Sequence, residues 1–165
     1  MKKILAASAD KKFIKTVTDA AKNYADTFSV AAAQDTQSAA DIISFTFPEI
    51  KVFDYTSSAI DCARLIETVH NDAWLHFGGI IAVCTDAQQV RHVEELKDTN
   101  MLSVLKKADF ERHFPRLLRI LYQNQQFLYT RGLQDGIGGR EAGSFICGND
   151  PMDLRFYTNF LVSYL

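Results

Sequence analysis

Five short apolar runs, each followed by a stretch whose apolar residues recur at helical spacing, constrain this chain more than anything else in its sequence. The runs are Ile4 to Ala7; Phe28, Val30 and Ala32; Ile50, Val52 and Phe53; Ile80 to Cys84; and Met101 to Leu105. Their length and bounding turn residues fit buried strands. Between them, Phe13, Val17, Ala21 and Tyr24 give one apolar face from Lys11 to about Ala25. Ser38 to Phe47 carries Ala39, Ile42, Ile43 and Phe47, and Ser57 to Asn71 carries Ile60, Ala63, Leu65, Ile66 and Val69. Asp86 to Asp98 is a weaker, more polar helix. Pro115, a good first helical residue, opens a long apolar-rich one that runs to Arg131 before Gly132.

Strands that alternate with helices pair in parallel, because each crossover needs a helix to return the chain. The expected fold is therefore a three-layer α/β sandwich, a five-stranded parallel sheet with helices on both faces. Right-handed crossovers leave few topologies, and the flavodoxin-like order 2-1-3-4-5 is the simplest that puts the ends of strands one and three at the switch point.

The 165 residues, 47% of them apolar, suffice for one core domain over residues 1–131. Six of the eight glycines fall between Gly132 and Gly148, so that stretch reads as a linker. DGIGGREAG within it is not a phosphate-binding glycine motif, since Glu141 stands at the last glycine and no strand leads in. Residues 149–165 carry Leu154, Tyr157, Phe160, Leu161 and Tyr164 on one helical face, as in a helix that packs on a partner or opens a second domain. A net charge of -2 gives no footprint for direct nucleic-acid binding, and no segment has the length and apolarity of a membrane span. Cys62, Cys84 and Cys147 are odd in number and lack metal-ligand spacing, which fits a reducing cytoplasm.

Within the stretch PEIKVFDYT, Pro48 to Thr56, Asp54 stands at the C-terminal end of the third strand, Thr85 and Asp86 follow the fourth, and Lys106 and Lys107 follow the fifth. With the loop Ser8 to Asp10, these strand ends converge on one pocket in the expected topology. A carboxylate, a hydroxyl and an ammonium are what an aspartyl-phosphate site requires: a nucleophile, a hydrogen-bond donor and a neutralising charge.

From Lys2 to about Asn124 the chain resembles the receiver domains of two-component response regulators, through KKILAASAD, PEIKVFDYT, IIAVCTD and LSVLKKADF in that order. The resemblance implies Asp54 as phosphoacceptor, Thr85 as switch hydroxyl and Lys106 as the lysine that contacts the phosphoryl group. It also implies a sensor kinase or other protein partner, no enzymatic activity of its own, and contacts or homodimers through the helix after Lys106. Two departures stand out. The family's adjacent Mg²⁺-binding acids are replaced by Ser8 and Ala9, leaving Asp10 and Asp54 as a weak metal pair, and the proline after the lysine is replaced by Lys107. The resulting reading is an atypical, pseudo-receiver-like module in a phosphorelay. A small-molecule-binding or catalytic flavodoxin-like domain using the same strand ends is the alternative. His70, His76, His92 and His113 have no ligand-like spacing and read as solvated surface residues, and Cys84 as a buried small hydrophobe.

Overall fold

A computed structural model of the chain describes residues 1–72, 75, 78–95 and 101–123. The expected linker and the amphipathic stretch 149–165 lie outside the described residues, as do His76, Cys147 and the end of the long last helix. The elements run β1 (Lys2–Ala7), α1 (Lys11–Lys22), β2 (Phe28–Ala33), α2 (Thr36–Thr46), β3 (Ile50–Asp54), α3 (Cys62–Asn71), β4 (Gly79–Cys84), α4 (Ala87–Glu95), β5 (Met101–Lys106), a 3-10 turn (Lys107–Asp109) and α5 (Phe110–Gln123). The strands form one parallel sheet in the order β2-β1-β3-β4-β5, the expected flavodoxin-like topology.

Aspartates set the helix starts. Asp10 accepts from the Lys12 N–H at 2.9 Å, Asp35 from Ser38, Asp61 from Arg64 and Asp86 from Gln89. Each satisfies an orphan donor at a helix N-terminus, a contact worth about 1 kcal/mol. These caps move two boundaries away from the expected ones. α2 begins at Thr36, behind Asp35, and α3 begins at Cys62, because residues 57–60 are spent in turns where the Ser57 N–H donates to Asp54 O and Ile60 N–H to Ser57 O.

Every residue of β3 and of β4 is buried, as sheet interior covered on both sides requires. α1 packs on α5 and α2 on α3, which right-handed crossovers place on opposite faces. The α1–α5 seam is aromatic: Phe13 stacks on Phe110 with ring centroids 4.4 Å apart, and Tyr24 stacks on Tyr122 at the same distance. At the N-terminal edge of β4, Gly78 has φ 79°, and a Cβ there would stand 2.0 Å from the Glu49 carbonyl oxygen, the acceptor of the Gly79 N–H. Only glycine fits that approach.

The last helix departs from expectation at its start. It starts at Phe110, not Pro115, so the proline lies inside it and removes one backbone bond. Burial of Phe110 and Phe114 one turn earlier offsets that loss, at about 1.5–3 kcal/mol for each fully buried ring. Its apolar residues as far as Gln123 are also taken up by the core. Leu117, Leu118 and Leu121 are buried, and Ile120 and Tyr122 pack against them half-buried. Among the described residues of α5, no large apolar side chain is exposed. His113 is buried on the same helix, against the expectation of a solvated surface histidine, because it falls three residues after Phe110 and four before Leu117, on the inward face. Cys84 is buried as expected.

Candidate functional site at Asp54

β3 is the middle strand of the sheet, and its last residue, Asp54, is fully buried. A buried carboxylate must have its lone pairs satisfied, and here the chain supplies four donors. Oδ1 accepts from the Thr56 N–H at 3.0 Å and from the Thr56 hydroxyl at 2.6 Å. Oδ2 accepts from the Ser8 hydroxyl at 2.6 Å and from the Lys107 ammonium at 2.7 Å. A carboxylate has about four acceptor positions, so each is in use.

The loop after β1 completes the arrangement. Ser8 is itself fully buried, and its oxygen accepts from the Asp10 N–H at 3.0 Å while its hydroxyl donates to Asp54. The Lys107 ammonium also lies 3.1 Å from Asp10 Oδ2, so Asp10, Ser8, Asp54 and Lys107 close a ring of hydrogen bonds. Its bond to Lys107 holds the Asp10 carboxyl below the usual carboxylate range, against the opposing effect of partial burial. The ammonium sits 4.8 Å from the centre of the Phe13 ring, a cation–π contact that keeps it over the pocket. Beside it opens a cavity of about 300 Å³ lined by Asp10, Lys12, Phe13, Lys107, Phe110 and Glu111.

Of the residues read from the sequence, Asp54, Asp10 and Ser8 meet in this pocket. Lys106 is replaced there by its neighbour. β5 is one residue longer than expected, so Lys106 pairs in register with Cys84 inside the sheet, and the chain turns over the carboxylate only at Lys107. Thr85 stands exposed just past β4, and the hydroxyls on Asp54 are those of Ser8 and Thr56. The backbone N–H of Thr85 donates instead to Gln89 Oε1 at 2.7 Å, while Gln89 Nε2 donates to the Tyr55 carbonyl at 3.1 Å. One α4 side chain thus ties the loop after β3 to the loop after β4. Tyr55 in turn faces His92 edge-on, its hydroxyl 3.5 Å from Nδ1.

The resemblance also implies Mg²⁺, and the donor set here does not fit it. Asp10 and Asp54 share one ammonium, the acceptor positions of Asp54 are filled, and no group of three or more His, Cys, Asp or Glu side chains able to hold a metal occurs among the described residues. Mg²⁺ prefers octahedral oxygen coordination and would have to displace a donor from a buried oxygen.

Sequence reasoning missed Thr56 altogether and missed Ser8 as a donor to Asp54. Thr56 had a readable signal, because a hydroxyl two residues after a strand-end Asp can close a local turn on that carboxylate. Ser8 was read as part of the loop that reaches the pocket and as a missing acid, not as a hydrogen-bond donor.

By sequence, the chain matches no protein-family model and no curated protein. By structure, it is similar to a two-component response regulator from Legionella pneumophila, with a TM-score of 0.61 at 14% identity over 74% of this chain and 99% of that one. It is similar to the chemotaxis response regulator CheY4 of Vibrio cholerae, with a TM-score of 0.59 at 16% identity over 77% and 98%. The receiver domain of the Francisella response regulator 1452 gives 0.56 at 17% identity over 76% and 99%. The chain has the fold of response-regulator receiver domains.

Proposed function

We propose that the chain is a receiver-like signalling module of a two-component or phosphorelay system, with an atypical pocket, that works through contacts with a sensor kinase or another protein partner and not as an enzyme. The carrying observation is Asp54 itself: it lies at the end of the central strand, where the receiver fold presents its phosphoacceptor, yet all its acceptor positions are held by Ser8, Thr56 and Lys107. A carboxylate with two hydrogen bonds on each oxygen is a poor nucleophile, since a donor must leave before either oxygen can attack. A cytoplasmic site of action fits this role, and no helix among the described residues is long and apolar enough to cross a membrane.

The test is incubation with acetyl phosphate and Mg²⁺ followed by intact-mass measurement. Little or no phosphoryl adduct is expected. Stoichiometric, Mg²⁺-dependent modification that Asp54→Ala abolishes would make this a working phosphoacceptor and overturn the atypical reading. The alternative, a small-molecule site, has the cavity beside Lys107 in its favour, and thermal stabilisation by a flavin, nucleotide or small phosphate would select it.

A further inference from the structure

We infer that Lys107 is the resident cation of the pocket, occupying the position between Asp10 and Asp54 in which a divalent ion would otherwise be bound. The inference rests on the receiver-like reading and assigns the feature that keeps metal out. Three observations carry it.

The ammonium is shared, 2.7 Å from Asp54 Oδ2 and 3.1 Å from Asp10 Oδ2, so a single cation bridges the two acids of the pocket. It is held from behind by the Phe13 ring, which is fixed in turn by its stack on Phe110. The oxygen it bonds has no spare position, because Ser8 donates to the same Oδ2 and the Ser8 oxygen is itself anchored by the Asp10 N–H.

A metal entering between the carboxylates must expel the ammonium and then compete with it for the same charge. Two carboxylates with one ammonium carry a single residual negative charge, a weak attraction for a strongly hydrated ion. Without the ammonium the same carboxylates carry two charges and an open Oδ2 position. The absent acids at positions 8 and 9 are therefore only part of what disfavours metal. The lysine is the other part, and it can be removed by itself.

The experiment titrates MgCl₂ and MnCl₂ into the wild-type chain, Lys107→Met, Lys107→Arg and the double variant Lys107→Met with Asp54→Asn. Binding is read by calorimetry and by Mn²⁺ broadening of the Asp10 and Asp54 amide signals. Wild type and Lys107→Arg should show no saturable binding at millimolar metal. Lys107→Met should bind at least about tenfold more tightly than wild type, with broadening centred on residues 10 and 54, and the double variant should lose it. If Lys107→Met does not fold, Lys107→Gln, which keeps a neutral donor for Asp54, takes its place in the same titration. Equal affinity in wild type and the lysine-free variant overturns the inference. So does the absence of binding in every variant, an outcome that leaves the receiver-like reading standing, whereas that reading fails on the phosphoryl adduct.

Discussion

The Ser8 hydroxyl donates to Asp54 Oδ2 across 2.6 Å, with both side chains fully buried and 46 positions apart in sequence. The contact welds the loop after β1 to the end of β3. Ser8→Ala removes that donor and the acceptor of the Asp10 N–H together. It should cost about 1–3 kcal/mol in urea unfolding, or roughly 2–4 °C in Tm for each kcal/mol in a chain of this size. An unchanged midpoint would mean that water replaces the hydroxyl without loss.

Placing acids where the serine stands tests the same contact by charge. Ser8→Asp with Ala9→Asp sets a carboxylate against a buried carboxylate, so the variant should be less stable than wild type in EDTA. Millimolar Mg²⁺ should recover part of the loss, because a divalent ion can then neutralise the cluster. Wild type is expected to show no such recovery. Equal Mg²⁺ responses from the two proteins would refute the expectation.

Lys107 and Asp54 should differ in what their loss costs. Lys107→Met leaves a fully buried carboxylate without its counter-charge, a change that costs about 3–5 kcal/mol where one partner of a buried pair is removed. Asp54→Asn leaves an ammonium that is partly solvated and still paired with Asp10, so its cost should be smaller, about 1–3 kcal/mol. Paired urea titrations measure the difference, and the reverse order would show that the carboxylate relies on Ser8 and Thr56 more than on the lysine.

These residues also show what a sequence can and cannot carry. Strand order, the parallel sheet and the position of Asp54 were legible because they follow from apolar runs of strand length alternating with helical periodicity, and burial on both faces enforces that pattern. The choice between Lys106 and Lys107 was not. A strand one residue longer keeps Lys106 paired with Cys84 and moves the turn to Lys107, and no local pattern in LSVLKKADF records where pairing stops. Pro115 misled for a related reason: tertiary burial of Phe110 and Phe114 outweighs the helix-start preference of a proline. The ring of hydrogen bonds through Ser8 joins residues far apart in the chain and becomes visible only once β1, β3 and the turn after β5 are side by side.

The bend before β4 yields a backbone prediction. Gly78→Ala must place a Cβ against the Glu49 carbonyl at a positive φ, and the acceptor cannot retreat without giving up the Gly79 N–H. The substitution should destabilise the fold by at least about 2 kcal/mol, or prevent accumulation of soluble protein. Wild-type stability would show that the β3–β4 edge can shift as a unit.

Lys51 offers a prediction in pH. It is buried at the second position of β3, 1% exposed, and burial draws its ammonium down to about 8, with the nearby charge of Glu49 opposing only in part. A lysine lowered in the folded state is protonated more readily in the unfolded chain, so between about pH 8 and the ordinary lysine range the unfolded state binds more protons. Stability from this group therefore rises with pH across that window. Below about pH 8 the lysine is charged in both states and the burial penalty stands in full, about 3 kcal/mol at most. Lys51→Met keeps the volume and removes the charge. The variant should be more stable than wild type at pH 7 by about 1–3 kcal/mol, with the difference shrinking as pH approaches 10. Urea midpoints for both proteins at several pH values provide the comparison, and other lysines cancel in the difference. A variant less stable than wild type at pH 7 would mean that contacts of the Lys51 ammonium outweigh the cost of burying it.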